Sequence, residues 1–165
     1  MVDVGFLWCP IPVPEGVPVI QVYGWLVDDA GRVLVQDTGD QFNLPGGSPE
    51  PIDVDLAATV VREAMEESQV TVTDVVYLGY EQVLRLGRPQ ALVRMVGRID
   101  EFHPRQPDTD GGRLFRRLMT PFADAPGLLG WGSSGVAQAR EAARIAQGCW
   151  GVPAESPTLA TSYVD

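Results

Sequence analysis

The spacing of hydrophobic and polar positions changes several times along the chain, and these changes predict its elements. β-Branched and aromatic residues dominate 17–27, and an Asp- and Gly-containing turn at 28–31 joins them to 32–37, which predicts a β-hairpin. Further strands are predicted over three stretches, namely 72–86, 91–99 and 113–119. Strands mixed with amphipathic helices indicate an α/β layered domain.

Helical spacing begins at 54–68. At about 100° per residue, one side of this helix carries the small or apolar residues Ala57, Val61, Ala64, Met65 and Ser68. The other side carries three glutamates, Glu63, Glu66 and Glu67. Asp53 or Asp55 is a suitable N-cap, since a short carboxylate can accept a hydrogen bond from a free backbone N–H of the first turn.

Two more helices are predicted in the second half of the chain. A short one covers 121–129, and a longer one covers 135–147, with Ser134 as N-cap and Gly148 as the residue that ends it. The longer helix is rich in alanine, which suits packing on the sheet or contact with a second copy in a homodimer. The proline-rich segment 1–16 is expected to be irregular and 152–165 to be a tail. At 165 residues, the whole chain is expected to form one domain.

The charge balance excludes several classes of protein. The formal net charge is −10, which argues against binding a nucleic-acid backbone or an anionic membrane surface. All 12 basic residues are arginine, so the chain has neither a phosphate-binding loop ending in Gly-Lys nor a Schiff-base lysine. The two cysteines, Cys9 and Cys149, lie far apart without a histidine cluster, which argues against zinc. With no signal peptide or membrane span evident, a cytoplasmic location is expected.

The three glutamates of the first helix are its most informative feature. They occupy positions i, i+3 and i+4, where their like charges repel, and only Arg62 lies beside them. Acid-rich helix faces are usually just solvated. A divalent cation would offset the repulsion, and magnesium binds one or two carboxylates together with substrate phosphate. With Gly46-Gly47 before the helix to offer a carbonyl, the face predicts metal-assisted phosphate chemistry.

Residues 44–70 resemble the signature of the Nudix hydrolase family, G-x5-E-x7-R-E-U-x-E-E-x-G-U, where U is aliphatic. The segment Leu44-Pro45-Gly46-Gly47 provides the leading glycine, and Arg62-Glu63-Ala64-Met65-Glu66-Glu67 provides the core. The resemblance implies an α/β/α sandwich with a mixed β-sheet. It also implies a metal-dependent hydrolase, using Mg²⁺ or alternatively Mn²⁺, that cleaves a small nucleoside diphosphate linked to another group.

The resemblance also implies roles for individual residues. Glu63 and Glu67 would bind the metal, Glu66 would bind a second metal or an ordered water, and Gly47 would contribute its carbonyl. Arg62 would pair with a glutamate and hold its rotamer. The residues expected to take part in catalysis are therefore Glu67, Glu66 and Arg62.

Substrate contacts outside the helix are less determined. Many Nudix enzymes take one more carboxylate from elsewhere, and the candidates here are Glu81, Asp100, Glu101, Asp108 and Asp110. We rank Glu81 first because it lies on a predicted strand, although any one of these acids alone is more often an ordinary surface residue. Arg113 and Arg116 are candidates to bind a substrate phosphate, and ordinary surface ion pairs explain them as well.

The chain departs from the family signature in three places. Asp53 replaces the first glutamate, eight residues rather than seven separate it from Arg62, and Gln69 replaces the second glycine. Asp53 is expected to brace Arg62 in place of that glutamate, and Gln69 to affect mainly the helix exit. These departures leave a second interpretation open, a catalytically inactive Nudix-fold nucleotide-binding or regulatory module.

Overall fold

The computed structural model describes residues 5–155 and 160–165. Over those residues, one sheet is built from β1 (Leu7–Cys9), β2 (Val19–Val27), β3 (Arg32–Asp37), β4 (Phe42–Asn43), β5 (Gly46–Gly47), β6 (Val70–Arg85), β7 (Arg88–Phe102), β8 (Arg116–Pro121) and β9 (Ser162–Val164). The helices are α1 (Leu56–Ser68), α2 (Ala125–Leu129) and α3 (Gly132–Trp150). The predicted strands and helices are thus all present, with shifted ends. No helix in the described ranges is long and apolar enough to cross a membrane.

The sheet is mixed and runs in the order β1-β6-β7-β2-β3-β8-β9. Only β2 and β7 are parallel, and the other pairs are antiparallel over the described strands. A long hairpin joins β6 to β7 through Leu86 and Gly87, whose φ angles of 51° and 74° suit a two-residue hairpin turn. The predicted α/β/α sandwich with a mixed sheet is confirmed.

Strands β2 and β3 diverge, and this divergence creates the space in which the site is built. They pair only where Val27 meets Val33. Beyond that point β5 pairs with β2 and β4 pairs with β3, which places Gly46 opposite Tyr23. A Cβ on Gly46 would overlap the carbonyl oxygen of Val22, so only glycine allows this close approach.

The two faces of the sheet carry separate hydrophobic layers. Alternate residues of β2 point to opposite faces, so Val22 and Leu26 contact the α1 layer while Trp25 and Val27 contact the layer of α2 and α3. On β7, Val93 belongs to the α1 layer. Side chains that face α1 and side chains that face α3 therefore lie on opposite sides of one sheet.

Helix α1 has well-defined ends, and the side that it buries differs from the apolar side expected from the sequence. Asp55 is its N-cap and accepts a hydrogen bond from the Ala58 N–H at 2.8 Å, while Gln69 ends the helix in the left-handed conformation at φ 48°. Two residues of the side that the sequence marks as small or apolar, Val61 and Met65, are about 40% exposed. The buried side is rotated to include Glu63, because this helix packs closest to the sheet through Val60 and Ala64.

Helix α3 corrects the prediction at both ends. It begins at Gly132, after Trp131, so Ser134 is inside the helix and is not its N-cap. It continues through Gly148 and ends only at Gly151, whose φ of 66° provides the left-handed residue that closes a helix. A glycine with ordinary helical angles merely weakens a helix, so Gly148 does not end it.

The described parts of the segments 1–16 and 152–165 contain strands that were not predicted, while residues 1–4 and 156–159 lie outside the described residues. Within the segment 1–16, strand β1 pairs with the free edge of β6. Within 152–165, Val152 and Ala154 are buried, and β9 pairs with β8. The Tyr163 hydroxyl donates to Asp37 at 2.6 Å, which anchors this strand beside β3. Hydrogen bonding to sheet edges thus orders segments whose composition alone predicts irregular chain.

Candidate functional site

Helix α1 and the glycines of β5 lie in close contact, and their contact defines the site. Glu63 is only 8% exposed. A Cβ on Gly47 would overlap the Glu63 carboxylate, so the glycine backbone is in direct contact with it. Glu63 and Glu67 therefore both contact β5, and Glu66 is linked to Glu63 through Arg62.

Arg62 connects two of the carboxylates to the preceding loop. Its Nη1 lies 2.9 Å from Glu63 Oε1 and 3.2 Å from Glu66 Oε2. Its Nε and Nη2 each donate to Asp53 at 3.0 Å. These bonds from Arg62 hold the pKa of Asp53 well below its usual range. Asp53 thus contacts Arg62 directly, despite the extra loop residue.

Glu67 lies in the gap between the diverging strands β2 and β3. Its Oε2 accepts hydrogen bonds from Gln36 Nε2 at 2.5 Å and from the Gly46 N–H at 3.2 Å. Burial raises the pKa of Glu67 to about 7, although the two hydrogen bonds lower it. The nearby charges of Glu63 and Asp108 also raise this pKa. No arginine forms an ion pair with Glu67 among the described residues. Its negative charge is therefore poorly compensated.

The loop between β7 and β8 adds acidic residues to this region. Burial raises the pKa of Glu63, whereas the hydrogen bond and charge of Arg62 lower it. The charges of Glu66 and Asp110 also raise this pKa. Asp108 acts in the same direction on Glu67. Two of the five candidates for an additional carboxylate are thus close enough to α1 to influence its glutamates electrostatically.

Glu81, the candidate ranked first, lies on the other side of the sheet. It is 4% exposed, and its Oε1 accepts hydrogen bonds from the Ser134 hydroxyl and from Gln138 Nε2, both on α3. Its hydrogen-bonding environment is therefore provided by α3 and is separate from the carboxylates of α1.

The two candidate phosphate-binding arginines lie near the turn after β3. Arg113 Nη2 is 3.9 Å from Asp40, and Arg116 Nη1 is 3.8 Å from Asp37. Both side chains are more than half exposed, so these pairs leave the guanidinium groups accessible. Their neighbour Arg117 is instead 1% exposed and donates to the backbone oxygens of Ser68 and His103.

The residues on α1 and β5 fit a hard divalent cation in chemical type. Such ions prefer carboxylate and carbonyl oxygens, which Glu63, Glu66, Glu67 and the Gly47 backbone provide. The absence of a Cβ on Gly47 leaves its backbone next to the Glu63 carboxylate. Over 5–155 and 160–165, no three acidic, histidine or cysteine side chains are already grouped to enclose a metal. Arg62 is part of the reason, since it holds Glu63 and Glu66 to itself.

Sequence reasoning missed several polar residues that shape this region. Gln36 holds Glu67, although it lies inside an otherwise apolar strand. Gln36 is only 3% exposed. A polar residue at the centre of an apolar strand needs a hydrogen-bond partner, and this was the sequence signal that could have indicated its role. Tyr23 on β2 is another such residue. It lies near Glu67 and Glu63, whose charges contribute to the raised pKa of its hydroxyl after the larger effect of burial.

Comparison with known proteins identifies a family match over most of the chain. A family model described as NUDIX domain matches residues 17–115. These residues include β2 to β7, α1 and the loop with Asp108 and Asp110. No curated protein sequence matches the chain.

Solved structures share the fold at low sequence identity. The NUDIX hydrolase from Nitrosomonas europaea is 18% identical, with a TM-score of 0.58, over 77% of this chain and 88% of that one. The NUDIX domain of Shewanella oneidensis NrtR, solved with ADP ribose, is 18% identical, with a TM-score of 0.55, over 76% and 88%. A Bacillus subtilis pyrophosphohydrolase is 22% identical, with a TM-score of 0.53 over 62% of this chain, and the chain covers only 64% of its length.

Proposed function

The chain belongs to the Nudix family, and on this premise we propose that it is a metal-dependent hydrolase that cleaves the diphosphate linkage of a nucleoside diphosphate joined to another group. The observation that carries the proposal is Glu67, a half-buried carboxylate with a pKa of about 7 beside two further glutamates. A partly desolvated negative charge without a cationic partner is costly. A divalent cation would remove that cost.

The residues proposed to hold the metal are Glu63, Glu66, Glu67 and the carbonyl of Gly47. Mg²⁺ is the first candidate, and Mn²⁺, which takes similar oxygen ligands, is the second. When bound, the ion would supply positive charge that offsets the diphosphate's negative charge and polarises its phosphoryl oxygens.

The protein's own groups supply position and proton transfer. Arg62 holds Glu63 and Glu66 through its Nη1, while Asp53 fixes the opposite side of the guanidinium. Glu67 is oriented through Oε2 and accepts the proton of the attacking water. The water oxygen bonds to phosphorus, the bond from that phosphorus to the bridging oxygen breaks, and the leaving group departs with that oxygen.

Two exposed arginines are proposed to bind the substrate's phosphates. Arg113 and Arg116 each pair with an aspartate at nearly 4 Å, which is too long for a strong hydrogen bond. Their guanidinium donors are therefore available for a phosphate, to which arginine can donate two parallel hydrogen bonds. Glu81 is proposed to contact the rest of the substrate from the opposite side of the sheet.

The alternative function is an inactive nucleotide-binding or regulatory module. The fold it shares with the NrtR domain, which was solved with ADP ribose, favours considering it. Two departures from the signature do not weaken the enzyme proposal, because Asp53 contacts Arg62 and Gln69 adopts the left-handed conformation that a glycine would. Keeping three adjacent glutamates without a cation would also be destabilising.

The test is a substrate panel of nucleoside triphosphates, nucleotide sugars and dinucleotides, each with Mg²⁺ or Mn²⁺. Products are separated and identified, and every reaction is repeated after EDTA. The proposal expects at least one compound to be cleaved within its diphosphate linkage, with loss of turnover in EDTA. Saturable binding without any turnover would support the inactive module, and turnover unaffected by EDTA would contradict the metal.

A further inference from the structure

A cavity on the α3 side of the sheet contains a pair of opposite charges that α1 chemistry does not use. It has a volume of about 200 Å³. Its lining residues are Phe6, Glu81, Arg94, Gly130, Trp131 and Ser134. Glu81 and Arg94 are each only 4% exposed, whereas Phe6 is mostly exposed, so the cavity extends from the surface to two buried charges.

A hydrogen-bond network fixes the orientation of both charged groups. Gln138 accepts from Arg94 Nε at 3.1 Å and from the Trp25 indole N–H through its Oε1, so its Nε2 must point the other way. That Nε2 donates to Glu81 Oε1 at 2.8 Å, and the Ser134 hydroxyl donates to the same oxygen. Glu81 Oε1 is therefore fully engaged by α3.

The other carboxylate oxygen of Glu81 lacks a partner. Within the described residues, Oε2 is buried and accepts no hydrogen bond. An acceptor of this kind is costly to leave unsatisfied, and more so when it carries charge. Because Glu81 lines the cavity, a ligand that carries an N–H or O–H group could supply the missing donor.

Arg94 supplies the complementary donor. Its guanidinium contacts the rings of both Tyr23 and Trp131, 4.8 Å and 4.6 Å from their centroids. Burial lowers the pKa of Arg94 to about 10, and the charge of Glu81 opposes that effect. Apart from Nε, which donates to Gln138, the guanidinium donates to the Leu92 carbonyl through Nη1, which leaves donors for a ligand.

Tyr23 connects this cavity with the carboxylates of α1. Its ring contacts Arg94 and Trp131, and its hydroxyl lies within the field of Glu67. It also pairs with Gly46 across β2 and β5. A substrate whose phosphates reach Glu67 would therefore have its remaining part near this cavity, on the other side of Tyr23.

We propose that the cavity binds the substrate's nucleobase by a lactam edge, the N–H beside a C=O that guanine, hypoxanthine and uracil carry. The N–H would donate to Glu81 Oε2, and Arg94 would donate to the carbonyl oxygen. Glu81 and Arg94 are ionised, so each forms its strongest hydrogen bond with the strongest neutral donor or acceptor. The lactam N–H is a stronger donor than the amine of adenine or cytosine, and the lactam carbonyl is a stronger acceptor than their ring nitrogen. The inference rests on the proposed function, because the base would lie here while the diphosphate meets α1.

Nucleoside monophosphates test the cavity without turnover. Calorimetric titration of the full chain with GMP, IMP, UMP, AMP and CMP should show at least one of the first three binding roughly tenfold or more tighter than AMP and CMP. Methylation of the lactam nitrogen of the best ligand should weaken its binding by a similar factor, because it removes the donated proton. Equal or tighter binding of AMP or CMP, or no saturable binding by GMP, IMP or UMP at millimolar concentration, would overturn the inference.

The matched variant is Glu81→Gln, with the exposed Glu15→Gln as control. In this variant Ser134 and Gln138 still donate to the carbonyl oxygen, so the new NH₂ must take the place of Oε2 and face the ligand's N–H. Binding of the lactam nucleotide should fall roughly tenfold or more, while AMP binding should hold or improve. Unchanged discrimination in a folded Glu81→Gln protein would contradict the inference. If this variant fails to fold, the binding of the methylated ligand to the wild-type chain still tests the inference.

The two proposals fail in different ways. Absent turnover together with lactam-selective binding of monophosphates would remove the hydrolase and keep the cavity assignment. Metal-dependent turnover that is indifferent to the base, with kcat/KM equal for guanine and adenine substrates, would remove the cavity assignment and keep the hydrolase.

Discussion

Glu67 combines two properties that conflict in an ordinary surface helix. It must accept a proton during the reaction, yet its carboxylate lies where burial raises its pKa to about 7. We expect Glu67→Gln to lower kcat by about 100-fold or more, since the amide can neither take the proton nor balance a cation.

The exposed Glu15→Gln is the matched control, because it removes one negative charge elsewhere on the surface. Steady-state kinetics on the best substrate of the panel, with circular dichroism to confirm folding, measure the difference. If Glu67→Gln keeps most of its activity while folded, the role assigned to Glu67 is wrong.

Gly47 provides a second test at the scale of one residue. A Cβ at this position would overlap the Glu63 carboxylate, so Gly47→Ala must displace either β5 or Glu63. We expect kcat/KM to fall by roughly tenfold or more, because displacement of a catalytic group by about 1 Å is enough for such a loss. Activity close to wild type would show that the contact is dispensable.

The control for this substitution is Gly148→Ala. Gly148 lies inside α3, and a Cβ there meets no atom within 4 Å. Replacing a helical glycine by alanine should leave activity unchanged and stabilise the fold by about 0.5–1 kcal/mol. The pair of variants separates a steric effect at the site from a general effect of adding a methyl group.

At the scale of elements, Arg62 and Asp53 connect the loop after β5 to α1. The fold lowers the pKa of Asp53, so its ionised form stabilises the native state. This contribution is complete above the ordinary aspartate pKa of about 3.9 and is lost as the pH falls toward the lower pKa of the folded state. Asp53→Asn should therefore cost about 1–3 kcal/mol at pH 7 and clearly less at pH 3.

Chemical unfolding of both proteins at the two pH values measures this difference. Asp29→Asn is the control, since Asp29 forms an exposed ion pair with Arg98 that is worth little. A difference between Asp53→Asn and wild type that is as large at pH 3 as at pH 7 would show that Asp53 stabilises the fold by something other than its charge.

Elements whose stability is local could be predicted from the sequence, and elements that depend on distant partners could not. The α1 helix carries its own cap at Asp55 and its own apolar spacing, so its position was predicted closely. Strands β1 and β9 have no strong periodicity. They exist because the edges of β6 and β8 offer hydrogen bonds to them.

Local structure also decided which residues of the site could be predicted. The glutamates and Arg62 lie within one short helical segment, and their proximity follows from helix geometry alone. The position of Glu81 depends instead on irregular pairing between β6 and β7 near Gly79, since a slip of one residue turns a side chain to the other face. Sequence spacing does not record that irregularity, so Glu81 was grouped with the α1 acids.

At the scale of the whole molecule, negative charge is concentrated where a cation would bind. The net charge is −10, and Asp108 and Asp110 from the β7–β8 loop add to the field of the three α1 glutamates. The loop's charges disfavour the ionised carboxylates and should attract a divalent ion from solution. The fold without metal therefore carries a repulsion that metal binding can remove.

Millimolar Mg²⁺ should accordingly raise the melting temperature, because a ligand that binds only the native state stabilises it by RT ln(1 + [L]/Kd). At a concentration ten times Kd this amounts to about 1.4 kcal/mol, a shift of about 3–6 °C for a protein near this size. Differential scanning fluorimetry with MgCl₂, against NaCl at equal ionic strength, separates specific binding from screening of the acidic surface. Equal shifts with both salts would contradict specific binding of Mg²⁺, whereas a magnesium shift that Glu67→Gln removes would assign the binding to the α1 glutamates.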